Sequence, residues 1–216
     1  LDSRRDFRRS DIGELWPRYI LWYESVSLVD EKVASMSRVP PDGPSPCDTV
    51  ICGESPAKEE VRLGRGFVGP SGKILWPLLR RLAGLERPEC YVTNLSKVPL
   101  DNDESTEAKM TDEEFAACQA ELLAELTRVQ PKRVLAVGAL AAKALLPGFT
   151  SMAVNNGMTY GVPGWSVTPC WRPAAALRGA GEGKDPLAWM GDALAHFTRN
   201  QRYAKPVTVP PWLYSD

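Results

Sequence analysis

Four side chains carry most of the chemistry this sequence can offer: Glu54, Phe67, Asn94 and Arg172. Asn94 presents one hydrogen-bond acceptor and one donor from a single carboxamide, so it matches a planar edge with the complementary pair. Phe67 brings a flat apolar face suited to stacking, or to a place in the core beneath its loop. Glu54 lies between Gly53 and Pro56, where a carboxylate reads either as a site group or as a solvated surface charge. Arg172 is donor-only and permanently charged, so it can hold an anion. Other chemistries are closed off. The only histidine, His196, sits well inside a helical segment and reads as structural, which removes His-based triads and multi-histidine metal centres. Five cysteines (Cys47, Cys52, Cys90, Cys118, Cys170) are scattered without a Cys-x-x-Cys pair, which suggests neither a disulfide framework nor a zinc site.

The elements that would position these groups alternate. Residues 14–37 suggest one or two amphipathic helices, followed by a Pro/Gly/Ser-rich break over 39–46. Residues 48–53 form an apolar strand running into a Gly/Pro-containing loop. Residues 71–84 predict a helix with Ser71 as N-cap and Gly84 as its stop, in which Pro77 kinks the helix or ends its first turn. Residues 90–94 give a second strand. Thr111-Asp-Glu-Glu114 has the form of a capping box, and Phe115, Cys118, Leu122, Leu126 and Val129 step at helical spacing behind it. A third strand over 133–138, a short helix over 139–146, a fourth strand over 165–168 and a closing helix over 185–199 complete the series. Such alternation predicts a single three-layer α/β/α domain with a central four-stranded parallel sheet, plus N-terminal helices. In that architecture ligands bind beyond the carboxyl ends of the strands, where residues 53–69, 94–100, 138–141 and 169–179 fall. The division expected is an N-terminal extension and linker (1–46), one α/β domain (47–203) and a tail (204–216).

Size and composition fit that plan. With 216 residues, 44% of them hydrophobic and 25% charged, one full core can form. No apolar run is long enough to span a bilayer, and the charged start lacks an apolar signal region, so a cytoplasmic protein is expected. A net charge of −1 means that any nucleic-acid surface must be a local patch.

The strand-end segments resemble a known family. Gly53-Glu-Ser-Pro-Ala-Lys-Glu-Glu-Val-Arg-Leu-Gly-Arg-Gly-Phe-Val-Gly69 resembles, without a gap, the first motif of the iron–sulfur branch of the uracil-DNA glycosylase superfamily. That pattern reads roughly Gly-Glu-x-Pro-Gly-x-x-Glu-Asp-x-x-Gly-x-Pro-Phe-Val-Gly. Tyr91-Val-Thr-Asn94-Leu-Ser-Lys97 is similar to its Tyr-x-Thr-Asn-x-x-Lys, and Trp171-Arg-Pro-Ala-Ala-Ala-Leu-Arg178 to its closing His-Pro-Ala…Leu-Arg. The resemblance covers about residues 48–199. It implies a monofunctional DNA glycosylase, acting as a monomer on single- or double-stranded DNA with water as nucleophile. Glu54 would place that water, Phe67 would stack on a flipped pyrimidine, and Asn94 would read its edge. Uracil and cytosine both satisfy an asparagine that can rotate, so Asn94 does not decide between them. Ser55 and Ala57 would line the base. Leu177, beside Arg178, would wedge into the duplex, or else is a buried leucine before a helix. Lys97, Arg172 and Arg178 would touch phosphates. Glu60 matches a family position too, and a loop-ordering salt bridge is an alternative for it.

Three departures shape the expected function. Only Cys118 falls at a cluster-ligand position and Val98 replaces another, so no cofactor is expected. Arg172 stands where the family has histidine, and Ser55 where other branches carry aspartate. Ala57, Gly66 and Ala174, Ala175 and Ala176 are small, which suggests room for a 5-substituted pyrimidine, as in phage or other foreign DNA. The alternatives are ordinary uracil repair and a catalytically silent DNA-binding relative. The aromatic cluster Trp16, Tyr19, Trp22 and Tyr23 packs on the core or meets a partner.

Overall fold

The computed structural model describes residues 38–100, 110–173 and 186–198, and the expectations for 14–37, for Ala174–Ala176 and for Leu177 and Arg178 lie outside them. Its elements are β1 (Thr49–Gly53), α1 (Lys58–Leu63), α2 (Pro70–Leu78), β2 (Tyr91–Asn94), α3 (Asp112–Val129), β3 (Arg133–Val137), α4 (Ala139–Leu145), α5 (Met152–Asn155), β4 (Tyr160–Val162), β5 (Trp165–Cys170) and α6 (Pro186–Phe197). The sheet order is β2-β1-β3-β5-β4.

The sheet has five strands, not four. β2, β1, β3 and β5 are parallel, and β4 pairs antiparallel with β5 at one edge. Tyr-Gly-Val is too short and too glycine-interrupted to read as a strand locally. It becomes one because the Pro163-Gly164 turn folds it back on β5. β1 is buried along its whole length, as a central parallel strand covered on both faces must be. Its alternation divides two cores. Val50 and Cys52 join Leu122, Leu126, Val134, Ala136 and Val167 under α3 and α4. Ile51 joins Leu75, Leu79, Leu135, Val137, Met190 and Leu194 under α2 and α6. Three layers follow, as the alternation of elements predicts.

Helix ends correct two local expectations. Ser71 is not the N-cap of α2: Gly69 is, with Pro70 at the first helical position, where its missing N–H costs nothing. Pro77 does not end the first turn, because it lies inside α2, which runs to Leu78. The chain runs through it and widens into a π turn over Leu79–Ala83, closed by left-handed Gly84, whose N–H donates to the Leu79 carbonyl. The capping box of α3 is present as read, with Thr111 Oγ1 accepting from Glu114 N–H at 3.2 Å and Glu114 Oε2 from Thr111 N–H at 2.8 Å. The segment after β1, which reads as loop, contains the short helix α1.

Candidate active site

The parallel strands deliver the candidate residues to one edge of the sheet. Gly53, the last residue of β1, is in register with Asn94, the last of β2. Val137, ending β3, is in register with Cys170, ending β5, so Gly138 and Arg172 leave the sheet close together. Gly138 N–H donates to the Cys170 carbonyl at 2.9 Å.

Glycine is required where these groups meet. A Cβ on Gly53 would collide with the Asn94 amide oxygen and stand 2.8 Å from the Phe67 ring. A Cβ on Gly138 would strike the Glu54 carboxylate, and its φ of +108° suits no other residue. Asn94 is 6% exposed, and among the described residues its side-chain amide has no hydrogen-bond partner. A buried carboxamide left with open valences is prepared for a ligand.

Glu54 is held from two sides. Its Oε1 accepts from Leu140 N–H at the start of α4 (3.0 Å), and its Oε2 from Arg172 Nη1 (3.0 Å), with side chains 12% and 27% exposed respectively. Its backbone carbonyl accepts from Ser96 N–H. Arg172 in turn follows Trp171, whose N–H donates to Asn156 Oδ1 (2.9 Å) while Asn156 Nδ2 donates to the Trp189 carbonyl (2.9 Å).

Phe67 adopts a left-handed conformation, φ 51°, which is costly for a bulky residue and persists only where neighbours impose it. Its carbonyl accepts from the Trp76 indole N–H at 3.0 Å and from Arg87 Nη1 at 3.4 Å. Arg87 also grips the Gly66 carbonyl (2.7 Å) and Asp42 (2.9 Å), and lies 5.0 Å over the Trp76 ring. Burial raises the Asp42 carboxyl, but the hydrogen bonds from Arg65 and Arg87 outweigh it and leave the group below the usual carboxylate range. Glu60 orders the same loop, though not by a salt bridge. It is 5% exposed, and its two oxygens accept from the backbone N–H groups of Ala57 (2.9 Å) and Gly69 (3.0 Å), clamping the start of α1 to Gly69.

The sequence reading places Lys97 wrongly. Its side chain is 4% exposed and its ammonium pairs with Glu125 at 2.7 Å, so it is not available to a phosphate. Ser55 is half-buried after Glu54, without a side-chain hydrogen bond among the described residues, and Ala57 is exposed at the N-terminus of α1. His196 sets Nδ1 2.8 Å from the Asp192 carbonyl of its own helix. The sequence reading missed Arg87, Trp76, Asn156 and the Leu140 amide. They act on backbone atoms or through the second glycine turn, and only the Gly-Ala step at 138–139 could have pointed to one of them.

The cysteines do not suit a four-thiolate cluster. Cys47 and Cys52 lie in the core under α3, Cys90 and Cys170 in the core on the opposite face of the sheet, and Cys118 is part-exposed on α3. Burial pushes the Cys52 and Cys170 thiols up to about 12, which opposes ligation as thiolates. No group of three or more His, Cys, Asp or Glu able to hold a metal occurs among the described residues. A shallow groove lined by Trp76, Pro77, Arg80, Arg81 and Glu86 lies on α2 and contains none of the four site groups. No helix among the described residues is long and apolar enough to cross a membrane.

An aromatic face, a carboxamide edge, a carboxylate and a guanidinium at one sheet edge can together hold a planar heterocycle and a water. The chain is similar in sequence to several named enzymes. It is 34% identical over 131 residues to a Type-4 uracil-DNA glycosylase of Thermotoga maritima, covering 60% of this chain and 66% of that one. It is 32% identical over 148 residues to the enzyme of that name from Pyrobaculum aerophilum (65% and 73% covered) and 29% over 175 to that from Sulfurisphaera tokodaii (71% and 76%). Residues 40–197 match the family described as the uracil DNA glycosylase superfamily, and the chain belongs to that superfamily.

Proposed function

We propose that this DNA glycosylase hydrolyses the N-glycosidic bond of a pyrimidine turned out of DNA, and that the pyrimidine carries a 5-substituent. The observation that supports this most is the Asn94 carboxamide, 6% exposed and without a hydrogen-bond partner among the described residues, set against the Phe67 ring and beside the Glu54–Arg172 pair. A base turned into that place stacks on Phe67 and meets the amide with its Watson–Crick edge. Water attacks C1′ as the C1′–N1 bond breaks, and the electron pair leaves with the base, spreading to its O2. Glu54 orients the water through whichever lone pairs Leu140 and Arg172 leave open, and the water's proton passes to it or to solvent. Arg172, which cannot lose its charge, stabilises the departing anion where a histidine would otherwise stand.

Ala57 and Gly66 support the 5-substituent. The first is exposed and without bulk, and a Cβ built on the second would stand 3.8 Å from the Asn94 amide nitrogen, so neither closes the site against a larger ring. Bases of that kind mark phage DNA, so a role against foreign DNA goes with this reading. Purified protein is incubated with oligonucleotides carrying uracil, hydroxymethyluracil, hydroxymethylcytosine or its glucosylated form. Alkali cleavage reads abasic sites, and mass spectrometry reads free base. Release of a 5-substituted base in preference to uracil is expected, and uracil cleaved as well as or better than all of them refutes the substituent. Asn94→Ala should abolish release, and retained activity removes Asn94 from the pocket.

A further inference from the structure

We infer that Lys97 is a positioning residue for Asn94, an inference that rests on Asn94 facing the base. Its Nζ makes three contacts: Glu125 Oε2 at 2.7 Å, Thr93 Oγ1 at 2.7 Å and the Asn94 carbonyl oxygen at 2.7 Å. An ammonium has three protons, and all three are engaged. Two of the three acceptors belong to the last two residues of β2, where the strand ladder stops. Among the described residues no hydrogen bond holds the Asn94 side chain, so the setting of its backbone decides where the carboxamide stands, and Lys97 grips that backbone. Glu125, reaching from α3 and 2% exposed, supplies the counter-charge without which a buried lysine would not remain charged. Glu125 also faces the Tyr91 hydroxyl, which burial and this carboxylate hold above its usual range, so the carboxylate ties Lys97 to β2 at both of its ends. Buried ion pairs exchanged for apolar residues of similar size commonly leave stability unchanged or raised. Positioning can thus be separated from folding.

The test compares wild type, Asn94→Ala and the double variant Lys97→Met/Glu125→Leu on the oligonucleotide that wild type cleaves best. The readouts are melting temperature, the single-turnover rate at saturating enzyme, and affinity for an uncleavable abasic-site duplex. The double variant should fold, bind the duplex within about twofold of wild type, and release base about 30-fold more slowly, with its preference between uracil-type and cytosine-type bases narrowed. Weaker DNA binding with a shallower salt dependence and an unchanged saturated rate would instead make Lys97 a phosphate contact and overturn the inference. Thr93→Val, which removes one acceptor and leaves the ion pair intact, covers a double variant that does not fold. It should slow release about threefold at unchanged affinity, and an unchanged rate overturns the inference. Silence of the wild type on every base refutes the proposed function itself. An active wild type, a dead Asn94→Ala and a full-rate double variant refute the role of Lys97 alone.

Discussion

Glu60→Gln changes one atom type in a buried side chain, and the structure fixes what it must cost. Both Glu60 oxygens accept backbone N–H groups, from Ala57 at 2.9 Å and Gly69 at 3.0 Å. Glutamine keeps one acceptor and turns an NH2 toward the other N–H, so one bond is lost and the survivor no longer ends on a charge. A hydrogen bond to a charged group contributes about 1.5–3 kcal/mol and a neutral one about 0.5–1.5 kcal/mol. The loss is therefore about 2–4 kcal/mol, and for a chain of this size each kcal/mol moves the midpoint by about 2–4 °C. Calorimetry should show a drop of about 4–16 °C. Base release should slow as well, because the clamp joins the start of α1 to Gly69 and so bounds the loop that carries Phe67. If Glu60 instead formed a loop salt bridge, Glu60→Gln would shift the midpoint little, and the wild-type midpoint would fall with added salt. A melting temperature within about 2 °C of wild type in Glu60→Gln refutes the two-amide clamp.

Gly138→Ala should reduce the single-turnover rate by about 100-fold, since the new methyl overlaps the Glu54 carboxylate and the backbone at φ +108° is strained; a variant with full rate shows that Glu54 need not stand there. Asp42 titrates below its unfolded value, so its contribution is complete above the ordinary aspartate range and is lost as pH falls through its lowered folded value. With its side chain a third exposed, that contribution is small, under about 1 kcal/mol, and Asp42→Asn should flatten the acid limb of the stability curve by that amount; an acid limb identical to wild type removes Asp42 from the linkage. The Cys52 and Cys170 thiols, held up to about 12 by burial, should resist alkylation at pH 8 until the protein unfolds, read by peptide mass spectrometry. Rapid native-state labelling of either one contradicts its burial.

How much of this protein is legible without coordinates depends on whether the cause is local. The Thr111 capping box, the helical spacing behind it and the apolar runs of β1 and β3 are written in adjacent residues, and the structure contains them where the sequence places them. The same holds for the layer order, because alternating strands and helices have few ways to bury their apolar faces. Glu54, Phe67, Asn94 and Arg172 were named from the family's motifs, and the sheet brings them to one edge. β4 was not legible, since three residues with a central glycine become a strand only when β5 lies beside them.

The sequence by itself determined the order of the parallel strands and of the main helices that cover them, and the types of side chain available for chemistry. Tertiary structure alone decided what each charged group does, because charge acts through space and burial is not a local property. Lys97 reads as a surface cation and is a buried one, turned inward by Glu125 from a helix that follows later in the chain. Glu60 reads either as a family motif position or as one half of a loop-ordering ion pair, and it accepts from two backbone amides. The pairing of Glu54 with Arg172 joins the first motif to the last, and it exists only because β1, β3 and β5 run parallel and end together.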